Sequence, residues 1–182
     1  MNSNLFGAVS LIIALTAVAV AVWQVRAHLV AIEKSNSLPV ASAAFNEFRS
    51  QKFRNHLFKV WRDAPSDVPE GGFEALAEKW RESAYEVAYF FEHLGILVAY
   101  DLVPEELIVG FSSNAVVRSW RTLEPFIQKE REHRKQGAYT GLSPNFVSHF
   151  EHLAAIASKI DSRGEHIDDV ILRKLKIRKF RP

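Results

Sequence analysis

The chain has 182 residues, no cysteine and a net charge of +2. Without cysteine there is no disulfide framework and no signature of an oxidising compartment. Charge is blocked rather than mixed: residues 26–62 carry +5, residues 63–106 carry −9 and the last ten carry +6.

Leu5–Val25 has 21 residues and no charged side chain; only Gly7, Ser10, Thr16 and Gln24 fall outside the apolar set. A helix of that length rises about 30 Å, the hydrocarbon thickness of a bilayer. The expectation is a retained single-span anchor. A secretory signal peptide would open with basic residues and carry an apolar run of roughly 7–15, whereas Met1-Asn2-Ser3-Asn4 is uncharged. A buried soluble helix is the other alternative, but it is rarely apolar on every face for six turns. Basic side chains follow the run (Arg26, Lys34) and none precedes it. The positive-inside rule then puts the N-terminus outside and the rest in the cytoplasm of an inner membrane.

About 150 residues remain past the anchor, enough for one domain with its own core. Pro39 disfavours helix at Leu38. From Val40 to Arg62, Phe45, Phe48, Phe53, Leu57, Val60 and Trp61 recur near the 3.6 period and predict one helix. Residues 64–72 hold two prolines and two glycines and read as a loop. Phe73, Leu76, Trp80, Ala84, Val87, Phe91 and Leu94 recur at threes and fours, with Glu74, Glu78, Glu82 and Glu86 mostly on the other side, which predicts an amphipathic helix. Pro104-Glu105-Glu106 suggests a short helix start. Ser112, Ser113 and Asn114 offer N-caps for a further helix to about Gln136, with a kink at Pro125. Residues 137–145 are another loop, and Phe146 to about Arg163 a last main helix. No strand pattern and no repeat is present. The expectation is an all-α protein: an N-terminal transmembrane helix followed by a cytoplasmic helical bundle of about four to five helices. Its parts are an anchor with its helical extension (1–36), a helical domain (37–172) and a basic tail (173–182).

Four constellations carry candidate chemistry. Gly7, Ser10, Ala14, Ala17 and Ala21 are spaced 3, 4, 3 and 4 along the apolar run. Small residues on such a seam let two membrane helices approach closely, which makes a second copy of the chain a candidate partner; the alternative is that alanine is frequent in spanning helices and some register always looks small. The tail holds Arg173, Lys174, Lys176, Arg178, Lys179 and Arg181, interleaved with Leu175, Ile177 and Phe180. Each base near an anionic leaflet is worth about 1 kcal/mol, so anionic lipid is a candidate partner. A solvated tail, or one docked on the acidic block at 63–106, is the alternative. Nucleic acid is not expected from ten basic-rich residues without a motif.

The histidines define no metal site. His149 and His152 share a helix face, and Glu130 with His133 forms a single Glu-x-x-His, of which a di-iron bundle needs two. No cofactor is expected. Arg49 and His56 are seven apart and resemble the Arg-x(4–6)-His signature of the helical HEPN ribonucleases, in which the His works as general acid/base and the Arg binds phosphate. The residue after Arg49 is only a serine. There is no Walker loop, no Gly-rich dinucleotide fingerprint and no Gly-x-Ser-x-Gly. The aromatic-rich middle, with Trp80, Tyr85, Tyr89, Phe90, Phe91, Tyr100 and Trp120, reads as core packing, with a groove for an apolar partner as the alternative.

Trp80 with Glu86-Val-Ala-Tyr-Phe-Phe-Glu-His-Leu-Gly95, and Trp120-Arg-Thr-Leu-Glu-Pro125 followed by Arg131, resemble an uncharacterised bacterial domain family. Its members pair one N-terminal span with a small Trp-containing helical domain. The resemblance covers roughly residues 45–135 plus the anchor. It implies an inner-membrane protein with a cytoplasmic helical domain, and it transfers no catalytic residue. The function expected is therefore a membrane-anchored interaction or regulatory module with an unidentified protein partner. The alternative is a membrane-tethered HEPN-like ribonuclease or toxin-like effector using Arg49 and His56.

Overall fold

The computed structural model describes residues 16–18, 20–25, 37–137 and 143–162. The chain divides into two units, Met1–Pro39 and Val40–Pro182. In the first unit residues 16–18, 20–25 and 37–39 are helical. Helix thus continues at Leu38 and Pro39, where the proline was expected to interrupt it. Of the seam, Ala17 and Ala21 are helical and exposed. Gly7, Ser10 and Ala14 lie outside the described residues, as do most of the expected span and the whole basic tail. Among the described residues, no helix is long and apolar enough to cross a membrane.

The second unit is all-helical among its described residues, as the periodicity predicted. Residues 40–49 form α1, Gln51–Arg62 α2, Glu78–Ala99 α3, Glu105–Lys135 α4 and Ser148–Ser162 α5, with a 3₁₀ turn at Gly72–Ala75. The helix expected over 40–62 is broken in two. Ser50 leaves the helix at φ −60, ψ 145, and its Oγ accepts from the Phe53 amide at 3.1 Å. That satisfies one of the first-turn donors of α2. The Ser-Ser-Asn stretch at 112–114 goes the other way. It caps nothing, because α4 runs unbroken from Glu105 through it and through Pro125. Ser112 instead turns its hydroxyl back onto the Ile108 carbonyl at 2.7 Å, a bond a mid-helix serine can make without ending the helix. Pro104 precedes α4, with Glu105 and Glu106 in the first turn, where acids complement the helix dipole.

α3 is the central element, since α2, α4 and α5 all pack on it. Trp80, Ala84, Val87, Phe91, Leu94 and Val98 are buried along it, while Glu78, Glu82 and Glu86 stay exposed. The core is aromatic: Phe53 meets Phe90 at 4.1 Å, Phe91 stacks on Phe150 at 5.1 Å and Trp80 lies 4.9 Å from Phe126. Tyr89 and Tyr100 depart from the core reading and are exposed.

Two carboxylates join elements far apart in sequence. Glu130 is 1 % exposed; it accepts from the Phe73 amide at 3.0 Å and from Arg134 Nε at 2.8 Å, tying α4 to the 3₁₀ turn. Gly72 makes this approach feasible. It sits at φ +63, and a Cβ there would collide with the Glu130 carboxylate. Glu92 of α3 accepts from the Phe150 amide at 2.7 Å and faces His149 Nδ1 at 2.8 Å, capping the start of α5. One turn later Gly95 lets the His149 carbonyl lie against α3.

Candidate functional site

α2 buries Phe53, Leu57 and Val60 against α3. A helical repeat of 3.6 then leaves Phe58, Lys59, Trp61 and Arg62 turned away from that contact. Trp61 is the pivot of this face. Its Nε1 donates to Ser119 Oγ at 2.9 Å, across α2 and α4. The Arg118 guanidinium lies 4.4 Å from the ring centroid, and Phe58 meets the ring edge-on at 5.7 Å. The indole is thus held at its nitrogen, its face and its edge, and a cation over an indole face is the strongest form of cation–π contact. Ser119 is fully buried, so its hydroxyl needs the partner Trp61 supplies.

Two clefts meet at Trp61 and Arg118. One, of about 380 Å³, has Phe48, Phe111, Gly110 and Ala115 in its wall, with Ser113 and Asn114. The other, of about 850 Å³, is walled by Asn55, Phe58, Lys59, Arg62 and Asp63. The first mixes the aromatic rings of Phe48, Phe111 and Trp61 with the polar Ser113, Asn114 and Arg118. The second carries the bases Lys59, Arg62 and Arg118 against a single acid, Asp63, which pairs with Arg62 at 3.0 Å. That pair is solvent-exposed, so it neutralises little of the local field.

The opposite character appears on α3. Tyr85 and Tyr89 stack at 5.7 Å, flanked by Glu82 and Glu86. Tyr85 Oη donates to Glu74 Oε1 at 3.2 Å. Burial first, then the charges of Glu130 and Glu74, push the Tyr85 phenol well above its ordinary range. It stays neutral through the physiological window and serves as a hydrogen-bond donor.

The residues singled out from sequence are dispersed. Arg49 is exposed near the end of α1, 5.3 Å from the Phe45 ring. His56 lies on α2, its Nδ1 3.1 Å from Ser83 Oγ. The single Ser83 hydroxyl proton goes to the Lys79 carbonyl, so His56 is the donor in that pair. Arg49 and His56 therefore occupy different helices and hold different partners. Of the histidines weighed for metal, His149 is engaged by Glu92, His152 is exposed, and Glu130 is committed to Arg134 and Phe73. Among the described residues no three metal-ligating side chains gather. Trp61 was legible only as one apolar position among several. Nothing local in the sequence marked Arg118 or Ser119, 57 and 58 positions further on.

The model of a domain of unknown function, DUF4760, matches residues 11–156. The chain belongs to the DUF4760 family. The match confirms the resemblance to an uncharacterised domain family read from Trp80, Trp120 and their neighbours. The DUF4760 region begins inside the uncharged run, takes in α1 to α4 and both clefts, and ends within α5. No curated protein and no solved structure matches the chain.

Proposed function

We propose that this DUF4760 chain is a membrane-anchored helical interaction module. Its anchor is the uncharged N-terminal run, its recognition surface the Trp61–Arg118 face, and its helical domain lies in the cytoplasm. The observation that carries the anchor is the state of the apolar residues before Arg26. Val18, Val20, Val22, Trp23 and Val25 are helical and 50 to 70 % exposed. Side chains of this size gain about 1.5–3 kcal/mol each on leaving water. A continuous uncharged sequence around them makes lipid the fitting cover. That the family match starts at residue 11, within this run, supports reading the segment as part of the domain rather than an appendage. In the same reading the basic tail, Arg173 to Arg181, adds attraction to an anionic leaflet.

Extraction tests the anchor. The full chain should stay with membranes after alkaline carbonate washing. The double variant Ala14→Arg/Val18→Arg should be released, because each mid-span Arg costs about 2.5–3.5 kcal/mol. Release of the unaltered chain would exclude the reading.

Self-association through the anchor is part of this proposal. Leu at Ala17 or Ala21 should weaken a membrane dimerisation reporter several-fold, while Leu at Val18 or Val22 leaves it unchanged. Equal signals from both sets would remove the seam from the account.

A further inference from the structure

We propose that the paired clefts around Trp61 and Arg118 form a site for one anionic phospholipid of the membrane that holds the chain. This rests on the anchored reading above and adds to it a ligand class and a place. The two clefts differ in the kind of side chain they gather: aromatic rings in the first, bases in the second. Phe48 and Phe111, with rings 5.5 Å apart, wall the first cleft and offer cover to a hydrocarbon chain. Lys59, Arg62 and Arg118 border the second and offer charge to a phosphate. Trp61 lines both, and tryptophan suits the boundary between apolar and wet surroundings because its body is apolar and its N–H polar.

Charge decides the occupant. A zwitterionic lipid would set its own cationic group against Lys59, Arg62 and Arg118, whereas an anionic headgroup brings only the charge they attract; among the described residues Asp63 is the one carboxylate on this rim. Arg118 is exposed, with its guanidinium carbon 4.4 Å from the Trp61 ring centroid, so the group is within reach of a phosphate oxygen from solvent. Arg suits this task through its planar fork of donors. Access also favours a bilayer lipid. The aromatic wall begins at Phe48, 23 residues after Val25 in the chain, so the anchor keeps the domain at high effective concentration near headgroups.

The test uses the full chain in non-ionic detergent, so that it does not depend on spontaneous insertion. Dioctanoyl phosphatidylglycerol is titrated in, with dioctanoyl phosphatidylcholine as the comparison, and Trp61 emission is read as the difference between the native chain and Trp61→Phe. A saturable response to the phosphatidylglycerol, at least about tenfold tighter than to the phosphatidylcholine, is expected. Arg118→Gln/Lys59→Gln should weaken it by about thirtyfold, as two headgroup contacts of about 1 kcal/mol each imply. Phe111→Ser should weaken both lipids alike, and far-ultraviolet circular dichroism checks that each variant is folded. Equal responses to the two lipids overturn the proposal. So does a response lost on removing residues 173–182 but kept in the cleft variants, which assigns lipid binding to the tail. The carbonate extraction is a separate measurement, so a failed anchor and a failed lipid site give different results.

Discussion

Glu130→Ala should lower the unfolding free energy by about 3–5 kcal/mol, the usual effect of removing one member of a buried ion pair. The carboxylate is 1 % exposed and has two partners, Arg134 Nε at 2.8 Å and the Phe73 amide at 3.0 Å. Removing it leaves a guanidinium whose side chain is 8 % exposed without its counter-charge, and a buried amide without an acceptor. Arg134 also lies 4.0 Å from the Phe146 ring, so the loss should spread to the segment entering α5. Glu130→Gln retains an acceptor for Phe73 but not the charge, and should cost less. Glu130→Leu/Arg134→Met removes both charges and should recover much of the loss, because desolvating an ion pair consumes most of its attraction. Urea unfolding of the full chain in detergent, followed by circular dichroism, measures all three. A change under 1 kcal/mol for Glu130→Ala would mean that water reaches the carboxylate.

Gly95→Ala should destabilise the protein, against the trend for helices. Alanine normally gains about 1 kcal/mol over glycine inside a helix. Here the added methyl would overlap the backbone carbonyl and Cβ of His149. A carbonyl within the first turn of α5 cannot rotate aside, so α5 must shift away from α3. Overpacking of this kind costs about 1–3 kcal/mol, and the shift would also lengthen the Glu92 bonds to His149 and Phe150, now 2.8 and 2.7 Å. Gly95→Val should be worse than Gly95→Ala. Thermal unfolding of the same preparation reads the order. A gain in stability for Gly95→Ala would show that α5 does not sit where these contacts put it.

Both residues were visible in the sequence and neither role was. Glu130 drew notice as half of a Glu-x-x-His pair, a spacing that describes one helix face and says nothing of what that face meets. Gly95 stands between Leu94 and Ile96, within an apolar stretch that a single glycine does not end. Its reason is a chain segment more than fifty residues away. The Ser50 break and the uninterrupted α4 follow the same logic. Serine can cap a helix or bond back within one, and the choice at Ser50 and at Ser112 turns on whether the surrounding packing rewards a bend. The Trp61–Arg118 face needs two helices side by side, so no window along the chain could hold it.

Although Phe73 and Leu76, expected on the stripe of α3, lie in and just after the 3₁₀ turn, sequence alone settled the helical class, that stripe from Trp80 to Leu94, most of the loop at 64–72 and the presence of α5. Those are consequences of spacing at 3.6 residues and of Pro and Gly chemistry, which act over one or two turns. Tertiary structure alone decided which carboxylates are buried, where α2 begins, why position 95 must be glycine, and that a basic cleft and an aromatic cleft meet at one tryptophan. Each of those depends on the free energy of groups brought together from distant parts of the chain, where burial makes an unpaired charge or an overlapping methyl costly.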